Sequence, residues 1–289
     1  MQREELLADC NAAQVVEMMY NIVLARKPSE ANVNEILIQL ENGALNYERL
    51  FISLVLSSEF MDLLARDAAE NHSLFLHNTR LKLIKYIIPR GEVILDIGGA
   101  NGSLVDNGYP HKFRRLIVTD LPPQSRIEQL KKIDLQKKMQ NTGREHIEVV
   151  FTSMTDLSMI EDESVDLVWA GQVVEHVTEE ELVVALEEIK RVLTVGGNFC
   201  FDTPNALMTR LHSPDRLIHP EHKKEYTPTQ IRQMMGHHFR IEKELGLVPM
   251  PISFKTKSFS YHEMILNNTF SENLDQSYCM YFHCIKDQE

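Results

Sequence analysis

The stretch from Val93 to Leu104 reads Val-Ile-Leu-Asp-Ile-Gly-Gly-Ala-Asn-Gly-Ser-Leu, and it restricts the fold more than any other part of the chain. A short apolar run carries an acid, Asp96. A loop of small residues follows at once: Gly98, Gly99, Ala100 and Gly102. A helix is expected to begin near Ser103. An apolar run with no polar alternation reads as a strand buried on both faces, the habit of parallel sheets. Small residues at its end let the backbone reach positive φ and approach a ligand closely. A ligand there faces a helix N-terminus with free N–H groups. This is the layout of a nucleotide-type site in a doubly wound sheet.

The loop does not match the dinucleotide fingerprint G-x-G-x-x-G. Counted from Gly98, the second glycine position is Ala100 and the third is Ser103. Three further runs follow. Leu116-Ile117-Val118-Thr119-Asp120 ends in an acid, and an acid at the tip of a second parallel strand can accept both hydroxyls of a ribose. Pro122 and Pro123 stop that strand. Ile147–Phe151 leads into Ser153-Met154-Thr155-Asp156-Leu157, and Val165–Gly171 leads into Gln172-Val173-Val174-Glu175-His176. A helix from Glu179 to Leu193 is expected to stop at Gly196-Gly197, before a fifth strand from Asn198 to Asn205.

Asp96, Gly98, Ala100 and Gly102 have the spacing of an acid followed by small residues two, four and six positions on. This resembles the first motif of class I S-adenosylmethionine-dependent methyltransferases, with Ala100 where glycine is usual. The Glu188–Asn205 stretch resembles the family's arginine–leucine–x–proline–glycine–glycine segment, with Val195 in place of proline. The resemblance implies S-adenosylmethionine as cofactor. It implies a methionine end on the Asp96, Gly98, Gly99, Ala100, Asn101 and Gly102 loop, and a ribose on Asp120 beside Leu121. It puts adenine against Met154, Thr155 and Asp156, and makes Gly171 and Gln172 the floor of the methyl-transfer pocket. The expected fold is α/β, a Rossmann-like seven-stranded sheet, mostly parallel with the last strand antiparallel, behind a small all-α domain.

The first seventy residues have a different pattern. Val15, Val16, Met18, Met19, Ile22, Val23 and Leu24 recur at helical spacing, and Ile36, Leu37, Leu40 and then Leu50, Phe51, Leu54, Val55 do so again. Pro28-Ser29 opens a helix and Asn42-Gly43 closes it, while Ser57-Ser58-Glu59-Phe60 reads as a helix end followed by a short cap. Three or four helices are expected. Tyr20, Leu24, Arg26, Pro28 and the Ser57–Phe60 stretch resemble a bacterial helical domain of unknown function found beside glycan-building enzymes. The expected domains are 1–70 and 71–289.

The net charge of −12 argues against broad nucleic-acid binding, because phosphate backbones reward excess Lys and Arg. Arg114-Arg115, Lys131-Lys132 and Lys137-Lys138 are the densest basic spots and read as solvated faces. No run reaches the eighteen apolar residues of a membrane span, and the first residues lack the apolar core of a signal peptide. The four cysteines, Cys10, Cys200, Cys279 and Cys284, lack metal-ligand spacing and read as reduced, consistent with a cytoplasmic setting.

A hydroxyl acceptor of a methyl group needs a base, since an alcohol is a poor nucleophile until its proton leaves. Glu175-His176 after the fourth strand is one source. The His219–Thr227 segment is the other, with His222 as first candidate and His219 and Tyr226 as substrate contacts. No metal is expected: near His212, His219 and His222 only Asp215 and Glu221 could add a carboxylate. The sequence reading is therefore O-methylation of a sugar or glycan-linked acceptor. A non-glycan small-molecule acceptor and a non-catalytic cofactor-binding module are the alternatives. Oligomeric state is not encoded legibly.

Overall fold

A computed structural model describes residues 11–99, 102, 104, 109–125 and 146–288. Ala100, Asn101, Cys10, the helix expected from Ser103 and the lysine pairs at 131–132 and 137–138 lie outside the described residues. The chain divides into two compact units, Met1–His72 and Ser73–Glu289.

The first unit contains α1 (Ala12–Leu24), α2 (Glu30–Glu41), α3 (Tyr47–Val55) and α4 (Ser58–Glu70). Each begins on a short polar cap: Asn11, Ser29, Asn46 and Ser57 accept from the N–H groups of Gln14, Asn32, Arg49 and Phe60. The helix end expected here is present, with α3 capped at Leu56, and Ser57 at once caps the start of α4, where only a short cap is expected from the sequence. A serine oxygen that meets a free N–H three residues on sets the boundary. Val16, Tyr20, Val23, Leu24, Ile36, Leu50 and Leu54 form the core of this unit. Arg26 grips Glu59 with two bonds, at 2.5 and 2.8 Å, tying the end of α1 to the first turn of α4.

The second unit opens with α5 (His72–Ile84) and is built on one eight-stranded sheet. The strands are β1 (Val93–Ile97), β2 (Arg115–Asp120), β3 (Ile147–Phe151), β4 (Val165–Gly171), β5 (Leu193–Pro204), β6 (Arg240–Pro249), β7 (Phe270–Ser271) and β8 (Ser277–Ile285). Their order is β3-β2-β1-β4-β5-β8-β6-β7. Strands β3 to β5 in that order pair in parallel, and β8 runs antiparallel between β5 and β6. Strand β1 is buried at all five positions, and its side chains alternate between two cores. Val93, Leu95 and Ile97 pack with Leu182, Leu186 and Ile189 of the Glu179–Val192 helix. Ile94 packs with Leu76, Leu83 and Ile84 of α5. The connection reverses direction between β1 and β4, and the strand ends there open a crevice.

Three expectations are corrected. The sheet has eight strands rather than seven, because two short helices, Pro251–Thr256 and Tyr261–Leu266, lead into an added edge strand, β7, too short to show in the sequence pattern. The Glu179–Val192 helix passes straight into β5 at Leu193. Gly196 and Gly197 therefore sit inside that strand: the register jumps from Val165–Leu193 to Leu167–Asn198, and Gly196 takes φ +77° in the bulge. The apolar pattern over Phe239–Leu247 predicts the sixth strand, and the strand observed runs Arg240–Pro249, starting one residue later and ending two residues later. Among the described residues, no helix is long and apolar enough to cross a membrane.

Candidate active site

The crevice at the tips of β1, β2 and β4 holds a cleft of about 270 Å³. Ile97 and Gly98 form its base, Thr119–Leu121 one side, Thr152–Met154 the far end and Gln172, Val173, His176 and Val177 the other side, with Glu221 also on the lining. Gly98 adopts φ +67°, and a Cβ there would lie 2.6 Å from Val173 Cγ2. The turn therefore requires glycine twice over, for its conformation and for its clearance. Gly99 is required by packing: its Cβ would lie 2.4 Å from Val118 Cγ1 and 2.9 Å from Asp96 Oδ2. Gln172, which follows β4, also has positive φ (+57°), a strained state for a residue with a side chain. Two bonds hold it there: its N–H donates to the Asp202 carbonyl at 2.9 Å and its Nε2 to Asp202 Oδ2 at 3.1 Å.

The cleft is acidic from below. Asp120 Oδ1 accepts from the Leu121 N–H at 2.7 Å, closing the tip of β2. Asp96 is 3% exposed, and its Oδ2 has no hydrogen-bond partner among the described residues. Burial pushes its carboxyl up to about 8; Asp120 adds to the rise and Arg80 opposes it. Arg80, on α5, is the buried cation under the site. Its Nη1 donates to both oxygens of Asp202, at 2.9 and 3.2 Å. Burial still raises Asp202, against the guanidinium and the Gln172 amide. His77 meets Arg80 Nη2 at 3.1 Å, and burial holds this imidazole down at about 4.

A cluster of histidines and carboxylates stands on the β4 side. Glu175 is fully buried; its Oε2 accepts from Thr203 Oγ1 at 3.0 Å, and its Oε1 has no partner among the described residues. Burial pushes it up to about 7. His176 lines the cleft, and burial followed by His222 and His219 pushes it down to about 4. The His176 and His222 rings meet edge to face with centroids 4.9 Å apart, and His219 stands 6.1 and 5.4 Å from the two. His222 Nδ1 bonds Glu225 Oε1 at 2.7 Å. Burial alone would raise Glu225, but bonds from His222, Thr209 and the Ile218 N–H hold it below the usual range. The segment is drawn onto the β4 turn by Lys223 and Lys224 N–H groups donating to the Glu175 carbonyl at 2.7 and 3.3 Å.

Residues 95–201 match the family model described as a methyltransferase domain. Solved structures agree on its fold. A chain from the complex between the Haloferax volcanii Trm112 methyltransferase activator and a methyltransferase superposes with TM-score 0.51 at 15% identity, over 79% of this chain and 96% of that one. A SAM-dependent methyltransferase from Thermotoga maritima gives 0.51 at 15%, over 78% and 99%. No curated protein sequence matches the chain. The domain implies S-adenosylmethionine as its cofactor. The cleft suits that cationic molecule: the Asp120 carboxylate lines it, the buried Asp96 carboxyl behind it has an oxygen lacking any described partner, and Ile97, Met154 and Val173 give an apolar wall.

Among the positions singled out from the sequence, Gly98, Asp120, Leu121, Met154, Gln172 and His176 line the cleft, whereas Glu175, His219 and His222 do not. Asp96 and Gly99 lie beneath it, and Gly102, at φ +74°, is buried in the loop. Gly171 packs on Trp169, where a Cβ would meet the indole at 2.7 Å, and it does not line the cleft. Thr155 turns toward Ser153, with hydroxyls 2.9 Å apart. Asp156, expected against adenine, is exposed and accepts from the Ser158 N–H at 3.2 Å. Its neighbour Met154 takes the wall position, because the turn after β3 points the shorter acid outward to cap itself. Tyr226, expected at the substrate, is fully buried in the sheet core and does not reach the cleft. Arg80 and Asp202 were missed. The acid in Phe201-Asp202-Thr203 at the end of an apolar strand was the available signal.

Proposed function

We propose that the chain transfers a methyl group to a hydroxyl of a sugar or glycan-linked acceptor, with residues 71–289 as the catalytic domain and 1–70 as a helical domain. The observation that carries the reaction class is the histidine cluster that meets the cleft at His176, with His222 edge to face behind it, near the acidic groups that suit a cationic cofactor. In this reading Asp120 receives the ribose hydroxyls, the Gly98–Gly102 loop receives the amino-acid end, and Ile97 and Met154 flank the base. When bound, S-adenosylmethionine supplies a methyl carbon whose bond to sulfur breaks, with the electron pair kept by sulfur, as the acceptor oxygen bonds to that carbon. Holding the two in line can account for several kcal/mol of barrier, about 7–11 kcal/mol at the extreme.

His176 and His222 position the acceptor hydroxyl and remove its proton, with Glu225 orienting the His222 ring through the 2.7 Å bond. In this reading Glu221, on the cleft lining, and His219, 6.1 Å from the His176 ring, meet the acceptor. An amine acceptor needs less help of this kind, so the cluster favours oxygen as the nucleophile. The glycan side of the proposal is supported by the resemblance carried by Tyr20, Leu24, Arg26, Pro28 and Ser57–Phe60, whose ends the Arg26–Glu59 pair joins. The test is a panel of nucleotide sugars, sugar phosphates and oligosaccharides set against phenols, quinols and amines, read by S-adenosylhomocysteine release. Turnover confined to the carbohydrate set is expected. Turnover on phenols or amines alone contradicts the acceptor class, and no turnover on any compound or cell extract revives a non-catalytic module.

A further inference from the structure

We propose that Glu175, His176 and His222 bind a divalent transition-metal ion on the acceptor side of the cleft. One ligand atom from each of the three lies within 4.8 Å of the others. Glu175 is fully buried, yet Oε1 has no partner among the described residues, while Oε2 is occupied by Thr203. A carboxylate oxygen shut away from water without a donor is costly, and a cation supplies what it lacks.

The surroundings of His222 point the same way. Its Nδ1 faces Glu225 Oε1 at 2.7 Å, so Nδ1 carries the proton and Nε2 keeps a lone pair. Glu225 is itself fixed by Thr209 Oγ1 at 2.5 Å and by the Ile218 N–H at 2.8 Å. A carboxylate behind a histidine, itself held by further bonds, is the arrangement that orients metal-binding imidazoles. The two ligand-bearing segments, after β4 and after β5, are already joined by the Lys223 and Lys224 N–H bonds to the Glu175 carbonyl.

One carboxylate and two imidazoles select Zn²⁺, Mn²⁺, Co²⁺ or Ni²⁺ over Mg²⁺ and Ca²⁺, which prefer all-oxygen shells. Three protein ligands leave positions open, the mark of a catalytic rather than a structural centre. Bonds of about 2.0–2.2 Å require the three atoms to close in by about an ångström, within the reach of side-chain rotation.

The role of the ion rests on the methyl-transfer reading above. It takes over the part given there to the histidines: the acceptor hydroxyl becomes a ligand, its O–H bond breaks with the electron pair left on oxygen, and the proton goes to water.

The test uses the full chain stripped with a chelator and titrated with Co²⁺, read by visible absorption, and with Mn²⁺, read by electron paramagnetic resonance. One equivalent is expected to bind. Glu175→Gln and His222→Ala should each weaken binding at least tenfold, and His237→Ala, remote from the three ligands in sequence, should leave it unchanged. Circular dichroism checks folding; if Glu175→Gln fails it, the half-buried His176→Ala replaces it. No binding, or equal binding by these variants, overturns the site. S-adenosylhomocysteine binding, followed in parallel by calorimetry, separates the two claims. Metal bound without it sinks the methyltransferase reading and leaves the site standing, and the reverse sinks the site alone.

Discussion

Replacing Arg80 with Met removes a buried cation and keeps most of its apolar stem. Arg80 and Asp202 are 4% and 0% exposed, and the guanidinium donates to both carboxylate oxygens. Without it, Asp202 keeps a single side-chain donor among the described residues, Gln172 Nε2 at 3.1 Å. Breaking such a pair from one side costs about 3–5 kcal/mol, because the remaining charge stays buried. Asp202 can relieve that cost by taking a proton, which sets the pH dependence. Its folded pKa already lies above the unfolded value of about 3.9, so its ionisation opposes folding as the pH rises. Loss of Arg80 moves the folded pKa further up. The deficit of the variant therefore opens once the pH passes the wild-type pKa, and grows by about 1.4 kcal/mol per unit until the variant's own pKa is passed. Asp96 also faces Arg80 and adds in the same direction, while His77, held at about 4, stays neutral across the range. Urea unfolding of the Ser73–Glu289 unit at pH 5 and pH 8 measures this. A deficit of about 3–5 kcal/mol at pH 8 is expected, smaller by at least about 1 kcal/mol at pH 5. Arg80→Met with Asp202→Asn should recover most of it. An equal deficit at both pH values, or one below about 1 kcal/mol at pH 8, refutes the reasoning.

Other outcomes follow from the same geometry. Asp120→Asn removes a charged acceptor whose bonds contribute about 1.5–3 kcal/mol each, so S-adenosylhomocysteine affinity should fall tenfold or more by calorimetry. Asp96→Asn should raise the melting temperature at pH 8 and leave it unchanged near pH 4. A carboxyl raised to about 8 costs stability progressively between its unfolded pKa and that value. The same substitution should weaken cofactor binding, a trade of stability against function. Gly98→Val places a branched side chain at φ +67° where a Cβ alone meets Val173 at 2.6 Å. Cofactor binding should be lost, as read by equilibrium dialysis, with a stability loss of about 1–3 kcal/mol.

The parts of this structure legible in the sequence are those governed by local rules. Strand β1 shows as an unbroken apolar run because both its faces are covered, and Gly98 shows because the turn beneath the cleft admits no side chain. Thr178 and Thr227 mark their helices through bonds made three residues away. What stayed hidden depends on the folded chain. Arg80 and Asp202 are 122 positions apart, and neither carries a local sign that the other will be its counter-ion. Asp156 and Met154 differ by two residues in a turn, and only the turn's path decides that the methionine meets the cleft. Strand β7 has two residues, too few for any periodicity to register. Gly196 was read as a helix stop because a glycine in a bulge and a glycine at a helix end share the same left-handed φ.

A crystal structure of the chain grown with S-adenosylhomocysteine tests the central claim most directly. The account predicts the nucleoside in the cleft between the tips of β1, β2 and β4, its ribose on Asp120 and its sulfur facing the His176 wall. An empty cleft at saturating ligand, or the ligand seated elsewhere on the chain, contradicts it.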